Sequence, residues 1–371
     1  DKMVKKNSRS SNIELYRILL MMMIVMHHYV VNSGLLSEMC AAPTSFKSIY
    51  LFLMGMWGKT IINCFVLITG YFMCTSRITL HKFVKLLFQL VFYNLGIGLI
   101  FLLSGKMPIT LMNIVNILNP IQSVDTGFVS CFLLFYLFIP FLNRLLQGIS
   151  KQQHLFLGCL GIGIYTVIGT NPVIHVAFNY ITWFSVLYVV IAYIRFYGIF
   201  REQSVTFWGG ATVILILLSV LSVLFLLWFQ MIRGREVTWE HTTFFVTESN
   251  RVLAFLVSLS SFMFFKNLHV PQNKSINTIA ACSFGVLLIH AHSDTMRTFL
   301  WHDVFRNVEI YHTSAIYWQV VLVPIVVFSV CVMIDYARIR LIENVYLDKL
   351  VSFIQKNRHY CWLANQFRIN G

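Results

Sequence analysis

The chain carries about ten apolar stretches of membrane-span length, and they leave little room for anything else. They fall at approximately 13–31, 49–73, 83–103, 127–146, 155–170, 180–197, 207–229, 250–265, 277–292 and 315–334, the fifth and ninth being short. A membrane helix needs roughly 20 predominantly apolar residues. The hydrocarbon core holds no water to satisfy stray backbone groups, so only helices and closed barrels cross it. The stretches lack the period-2 alternation of barrel strands. The expected fold is therefore all-α, a polytopic transmembrane helix bundle of about ten spans.

Composition agrees. Charged residues make up 11% of the chain and apolar ones 58%, against roughly 25% charged in a soluble domain. That is too little charge to coat a water-facing surface. No soluble domain, internal repeat or low-complexity tract interrupts the pattern. Residues 1–371 read as a single integral-membrane domain, with a first span at about 13–31, a last span at about 315–334 and a cytoplasmic tail over 335–371. The first span reads as retained and not as a signal peptide, because its run is long and no A-x-A site follows it.

The net charge of +14 would fit nucleic acid, but its distribution does not. Lys2, Lys5, Lys6, Arg9, Arg77, Lys82, Lys85, Arg144, Lys151, Arg195 and Arg201 gather in alternate loops, as do the basic residues beyond 335. This is the positive-inside bias, and it predicts both termini in the cytoplasm. The eight cysteines are scattered without a CxxC pair. They read as small apolar fillers, with no disulfide framework and no metal site.

Against this background, ionisable residues inside spans stand out, since they are expensive in lipid and usually face a cavity or the bundle interior. Glu14 to Val30 reads ELYRILLMMMIVMHHYV. At 100° per residue, Arg17 and His28 lie about 20° apart around a helix, and Glu14 lies about 40° from His28. His27 points about 80° away from Arg17. Glu14, Arg17 and His28 thus form one polar stripe with His28 at its outer end. A snorkelling arginine, a Glu14–Arg17 helix pair and two interfacial histidines would be the ordinary alternative. A stripe of that length suits a polar pathway, and a neutral histidine at its end suits a general base.

In the second span, Lys59 and Asn63 are four apart and share a face. They read either as a snorkelling lysine with a helix-bonding amide or as substrate contacts. The cytoplasmic SRITLHKFVK carries Arg77, Lys82 and Lys85, ordinary topology charges or a phosphate-binding patch for an anionic cofactor. FGVLLIHAHSDTMR holds His290, His292 and Asp294. Residues two apart diverge by about 200° on a helix, so these do not converge on one ion. His290, deep at the end of an apolar run, is the better site candidate. Trp183 and Tyr180 could stack on sugar or belong to an aromatic belt. No G-x-S-x-G elbow, P-loop, HExxH or dinucleotide-binding glycine pattern appears.

These blocks resemble the integral-membrane acyltransferase 3 proteins, which include polysaccharide O-acetyltransferases. SNIELYRILLMMMIVMHHYV looks like that family's first span with its Arg-x10-His pair, here Arg17 and His28. GKTIINCFVLITGYF, GFVSCFLLFYLFIPFLNRLL, ITWFSVLYVVIAYIRFY and CSFGVLLIHAHSDTMRTFLW resemble later blocks in the same order. Two departures are visible. Only Arg77 of the family's Arg-x-Arg is present, with Thr79 in the second position, and Ala291 follows the late Leu-Ile-His.

The resemblance implies ten spans and transfer of an acyl group, usually acetyl, from cytoplasmic acetyl-CoA to a sugar hydroxyl on the outer face. It makes His28 the catalytic histidine with Arg17 as motif partner and Glu14 alongside. Arg77, Lys82 and Lys85 would hold the donor; Lys59, Asn63, Trp183, His290 and Arg297 would meet the acceptor. The expected partners are acyl-CoA, a glycan or lipid-linked sugar, membrane lipid and, as an option, a second copy of the chain. The expected location is a bacterial inner or cytoplasmic membrane. The rival class is a polytopic transporter of a glycan or lipid-linked precursor, which would also want charges in midspan. Such transporters often show repeated halves, and none is evident here.

Overall fold

The computed structural model describes residues 10–76, 79–119, 121, 124 and 127–367. Among them there is no strand. Each of the ten apolar stretches coincides with helix. These helices are α1 (Ser11–Val31), α2 (Phe46–Met73), α3 (Leu80–Leu103), α4 (Phe128–Gly148), α5 (Lys151–Ile162), α6 (Tyr180–Tyr197), α7 (Val205–Ile232), α8 (Val252–Asn267), α9 (Lys274–His290) and α10 (Ile316–Arg338). Two more, α11 (Asn344–Gln355) and α12 (Arg358–Phe367), follow in the tail.

Among the described residues, seven helices are long and apolar enough to cross a membrane, or eight if one bent pair counts as a span. The difference from ten lies in three places. α5 is a 12-residue helix that passes into π-helical turns over Gly163–Ile168, and α8 has 16 residues. α9 turns by 96° into the short helix Asp294–Val304.

Local chemistry sets several of the boundaries. Asn179 and Ser204 cap α6 and α7 by accepting from the amides of Ile181 and Phe207, which satisfies donors that a helix start leaves open. Gly198 ends α6 in the left-handed region at φ 62°, where a glycine avoids the Cβ penalty. α2 breaks over Met56 and Trp57 between two glycines, Gly55 and Gly58.

α1 is the central helix, packed against α2, α8, α9 and α10. Its start is tied to the end of α8 by Asn12, whose Nδ2 donates to the carbonyls of Phe265, Lys266 and Leu268 at 2.9, 3.1 and 3.1 Å. α6 packs on α2, α4 and α5. α7 is the least buried span, with Leu217, Leu221, Phe225 and Trp228 more than half exposed, as expected for a lipid-facing helix.

Two sets of buried polar groups tie helices together. Trp183 Nε1 donates to Asn63 Oδ1 at 2.9 Å, and Asn63 Nδ2 donates to the Ser249 carbonyl at 2.6 Å. Near the end of α10, Arg338 Nε donates to Asp335 Oδ1 and Arg338 NH1 to Glu343 Oε2, each at 2.7 Å. Tyr93 of α3 donates to the same Asp335 oxygen at 2.7 Å, and Lys85 closes the network on Glu343.

Candidate active site

A cavity of about 900 Å³ opens between α1, α2, α3, α9 and the segment Trp239–Arg251. On α1 it is lined by Met21, Ile24, His27 and His28. Met21, Phe65 and Leu90 give it apolar lining. Arg17 lies one helical turn beyond Met21, on the order of 6 Å along the axis, and is half-buried, while Glu14 is buried. Neither lines the cavity. The stripe expected from Glu14 to His28 is therefore not polar throughout: Met21 and Ile24 interrupt it.

His28 does not stand alone. Its Nδ1 lies 2.9 Å from His290 Nε2, and His290 Nδ1 lies 2.6 Å from the carbonyl of Val286. A carbonyl only accepts, so His290 Nδ1 carries the proton and, in the neutral ring, its Nε2 offers a lone pair. That lone pair accepts from His28 Nδ1–H. His28 Nε2 is left as an unprotonated base on a ring that lines the cavity. His290 is fully buried, so the dyad is held by the α9 backbone four residues before the 96° bend. The sequence suggested His290 as an acceptor contact; its position is behind His28.

His27 also lines the cavity, contrary to its phase on α1. Its Nδ1 lies 2.5 Å from the Gly55 carbonyl, so in the neutral ring its Nε2 is the lone-pair nitrogen. The break in α2 makes this possible. Gly55 is the last helical residue before Met56, and a Cβ on Gly58 would lie 2.3 Å from the His27 ring. A helical wheel of α1 cannot report this seat, because a second helix supplies it. The GMWG run at 55–58 is the sequence signal for it.

Lys59 lines the cavity, with Nζ donating to Tyr180 Oη at 2.8 Å. Arg297 lines it too and is paired with Asp294 at 2.7 Å. Asn63 and Trp183 do not line it; both are fully buried and bonded to each other, so they brace the wall behind Lys59. Sequence reasoning missed Trp239, Glu240 and Glu248, which line the cavity from a segment with no apolar period, and Arg251 just before α8.

Of the expected donor residues, Lys82 and Lys85 do not line this cavity. Arg77 lies outside the described residues. Lys82 is exposed on the first turn of α3, and half-exposed Lys85 is engaged by Glu343.

A helical membrane bundle with a cavity lined by two imidazole rings, each held through its Nδ1, is a multi-pass membrane protein equipped for proton transfer or nucleophilic attack. A family model described as an acyltransferase domain matches residues 10–336. The chain belongs to that family, the acyltransferase 3 proteins, and is a membrane acyltransferase. No curated protein and no solved structure matches it.

Proposed function

We propose that the protein is an O-acyltransferase of a bacterial cytoplasmic membrane that moves an acyl group, acetyl in the simplest case, from cytoplasmic acyl-CoA to a hydroxyl of an extracytoplasmic or lipid-linked glycan. One observation carries this reading: His28 Nε2, its tautomer set by His290 and Val286, on the wall of a cavity of about 900 Å³. An imidazole lone pair there can take a proton or attack the acyl carbon, and the sugar hydroxyl is a poor nucleophile until a base takes its proton. Lys59 and Arg297, on the same cavity, supply cations for the oxyanion that forms when the acyl carbon is attacked. Trp239, Tyr180 and Phe128 give aromatic faces, and Glu240 and Glu248 give acceptors, a wall suited to a polyhydroxylated ligand.

The donor would approach from the other end of α1, past Arg17, with Arg77, Lys82 and Lys85 as cations for its phosphates. Met21, on α1 between Arg17 and His28, then lies where the two approaches meet. The transporter alternative gives way to the family assignment.

The test is transfer of labelled acetyl from acetyl-CoA to surface glycan, by purified protein in proteoliposomes. The glycan is taken from the producing cells and stripped of esters with alkali. The expected result is label in alkali-labile ester, lost in a folded His28→Ala variant. No transfer by the wild type, or undiminished transfer by His28→Ala, overturns the reading.

A further inference from the structure

His27 and His28 are neighbours in sequence, yet each is anchored separately. His27 Nδ1 is held by the Gly55 carbonyl of α2. His28 Nδ1 is held by His290 of α9. Their ring centroids are 5.5 Å apart, and both rings line one cavity. Among the described residues, neither Nε2 has a protein partner. One base would suffice for a single-step transfer: it takes the hydroxyl proton and hands it to the leaving thiolate. Two fixed bases at this separation fit a different division of labour.

We infer that His28 carries the acyl group and His27 deprotonates the acceptor. This rests on the acyl-CoA reading above. In the first step the His28 Nε2 lone pair attacks the thioester carbon, the C–S bond breaks, and CoA leaves as thiolate to take a proton from water on its own side. The new acyl-imidazolium passes its Nδ1 proton to His290 Nε2, which becomes charged, and the acyl-imidazole is neutral. At this point His28 has no lone pair left for base chemistry, because Nε2 bears the acyl group and Nδ1 faces His290. A second base is then needed.

In the second step the acceptor oxygen attacks the acyl carbon while its proton goes to His27 Nε2. The C–N bond breaks, the lone pair returns to His28 Nε2, and His290 returns the proton to Nδ1. His27 then loses its proton to water through the cavity. A hydroxyl within ~2.6–3.2 Å of His27 Nε2 and in line with an acyl carbon on His28 spans a ring separation of this size. Donor and acceptor need not occupy the cavity together. This suits substrates that arrive from opposite ends of α1.

The experiment separates the two steps. Wild-type protein and His27→Ala, both shown folded by gel filtration and thermal unfolding, are mixed with acetyl-CoA without acceptor. Free CoA is quantified by chromatography and the protein by intact mass. Alkali-stripped surface glycan is then added. The wild type should release about one equivalent of CoA in a burst, gain one acetyl group and pass it on. His27→Ala should keep the burst and the acetyl mass but transfer to glycan at least 100-fold more slowly. Free imidazole should restore part of that rate by entering the space His27 leaves.

Undiminished transfer by His27→Ala overturns the inference, as does loss of its burst while the wild type keeps one. Transfer by the wild type with no acyl-enzyme overturns it and leaves the O-acyltransferase reading standing. Neither burst nor transfer by the wild type overturns both.

Discussion

His28 Nδ1 and His290 Nε2 face each other at 2.9 Å across the α1–α9 contact, and a backbone carbonyl behind His290 fixes the direction of that hydrogen bond. The arrangement does with a second imidazole what a buried carboxylate does in a serine-protease triad: it selects the tautomer and takes up positive charge. The difference is that no permanent charge is placed among apolar helices, where one would be expensive.

Replacing His290 by alanine removes both functions without touching the cavity wall. The expected outcome is a fall in kcat of about 10²–10⁴, with little change in KM for either substrate. His290→Gln should recover part of the loss, because its amide oxygen can accept from His28 Nδ1–H. Steady-state kinetics on the three proteins checks this. A rise in KM with kcat unchanged would instead make His290 a binding residue.

Gly58 is a sensitive position for another reason. A Cβ there would sit 2.3 Å from the His27 ring, closer than packed atoms come. Gly58→Ala should swing the imidazole off the Gly55 carbonyl and release its tautomer. Glycan transfer should fall by an order of magnitude or more, with helical content by circular dichroism unchanged. Gly96→Ala is the matched control, since a Cβ at Gly96 meets nothing within 4 Å; it should be silent.

The bundle itself was legible because lipid leaves so few ways to bury a backbone. All ten apolar stretches became helix, and their order along the chain carried the family resemblance. Period 3.6 puts Arg17 and His28 on one face of α1, but His28 lines the cavity and Arg17 does not. What sequence could not show is where helices meet. His27 points away from His28 on the wheel of α1, but α2 breaks at Met56–Trp57 beside it and gives it a carbonyl. His290 read as a substrate contact because its partner is 262 positions away in sequence. Trp183 looked like a sugar platform for the same reason: its indole N–H is spent on Asn63.

That last pair gives a clean separation of stability from function. Trp183→Phe keeps most of the ring volume but leaves Asn63 Oδ1 buried without its donor. An orphaned buried acceptor costs about 1–3 kcal/mol. Thermal unfolding in detergent should shift down, while the specific activity of the folded fraction should stay within about twofold. A selective rise in acceptor KM would restore Trp183 to the substrate surface.

The charged cluster at the end of α10 is the other place where stability is concentrated. Asp335 is fully buried and accepts from Tyr93 and Arg338 on one oxygen, and Arg338 also binds Glu343. Lys85 of α3 completes the set, so the network pins α3 and α10 together beside the tail helix α11. Removing one member of a buried pair costs far more than the pair contributes, about 3–5 kcal/mol, because a charge is left behind. Asp335→Ala should therefore lower the unfolding temperature more than any other single change named here. Asp335→Asn, which keeps an acceptor for Tyr93, should lose less. Gly285→Ala should resemble Asp335→Ala, since its Cβ would lie 2.2 Å from the Asp335 carboxyl carbon. If instead Asp335→Ala unfolds like the wild type but loses activity with rising KM for acyl-CoA, the cluster belongs to the donor site and not to the scaffold.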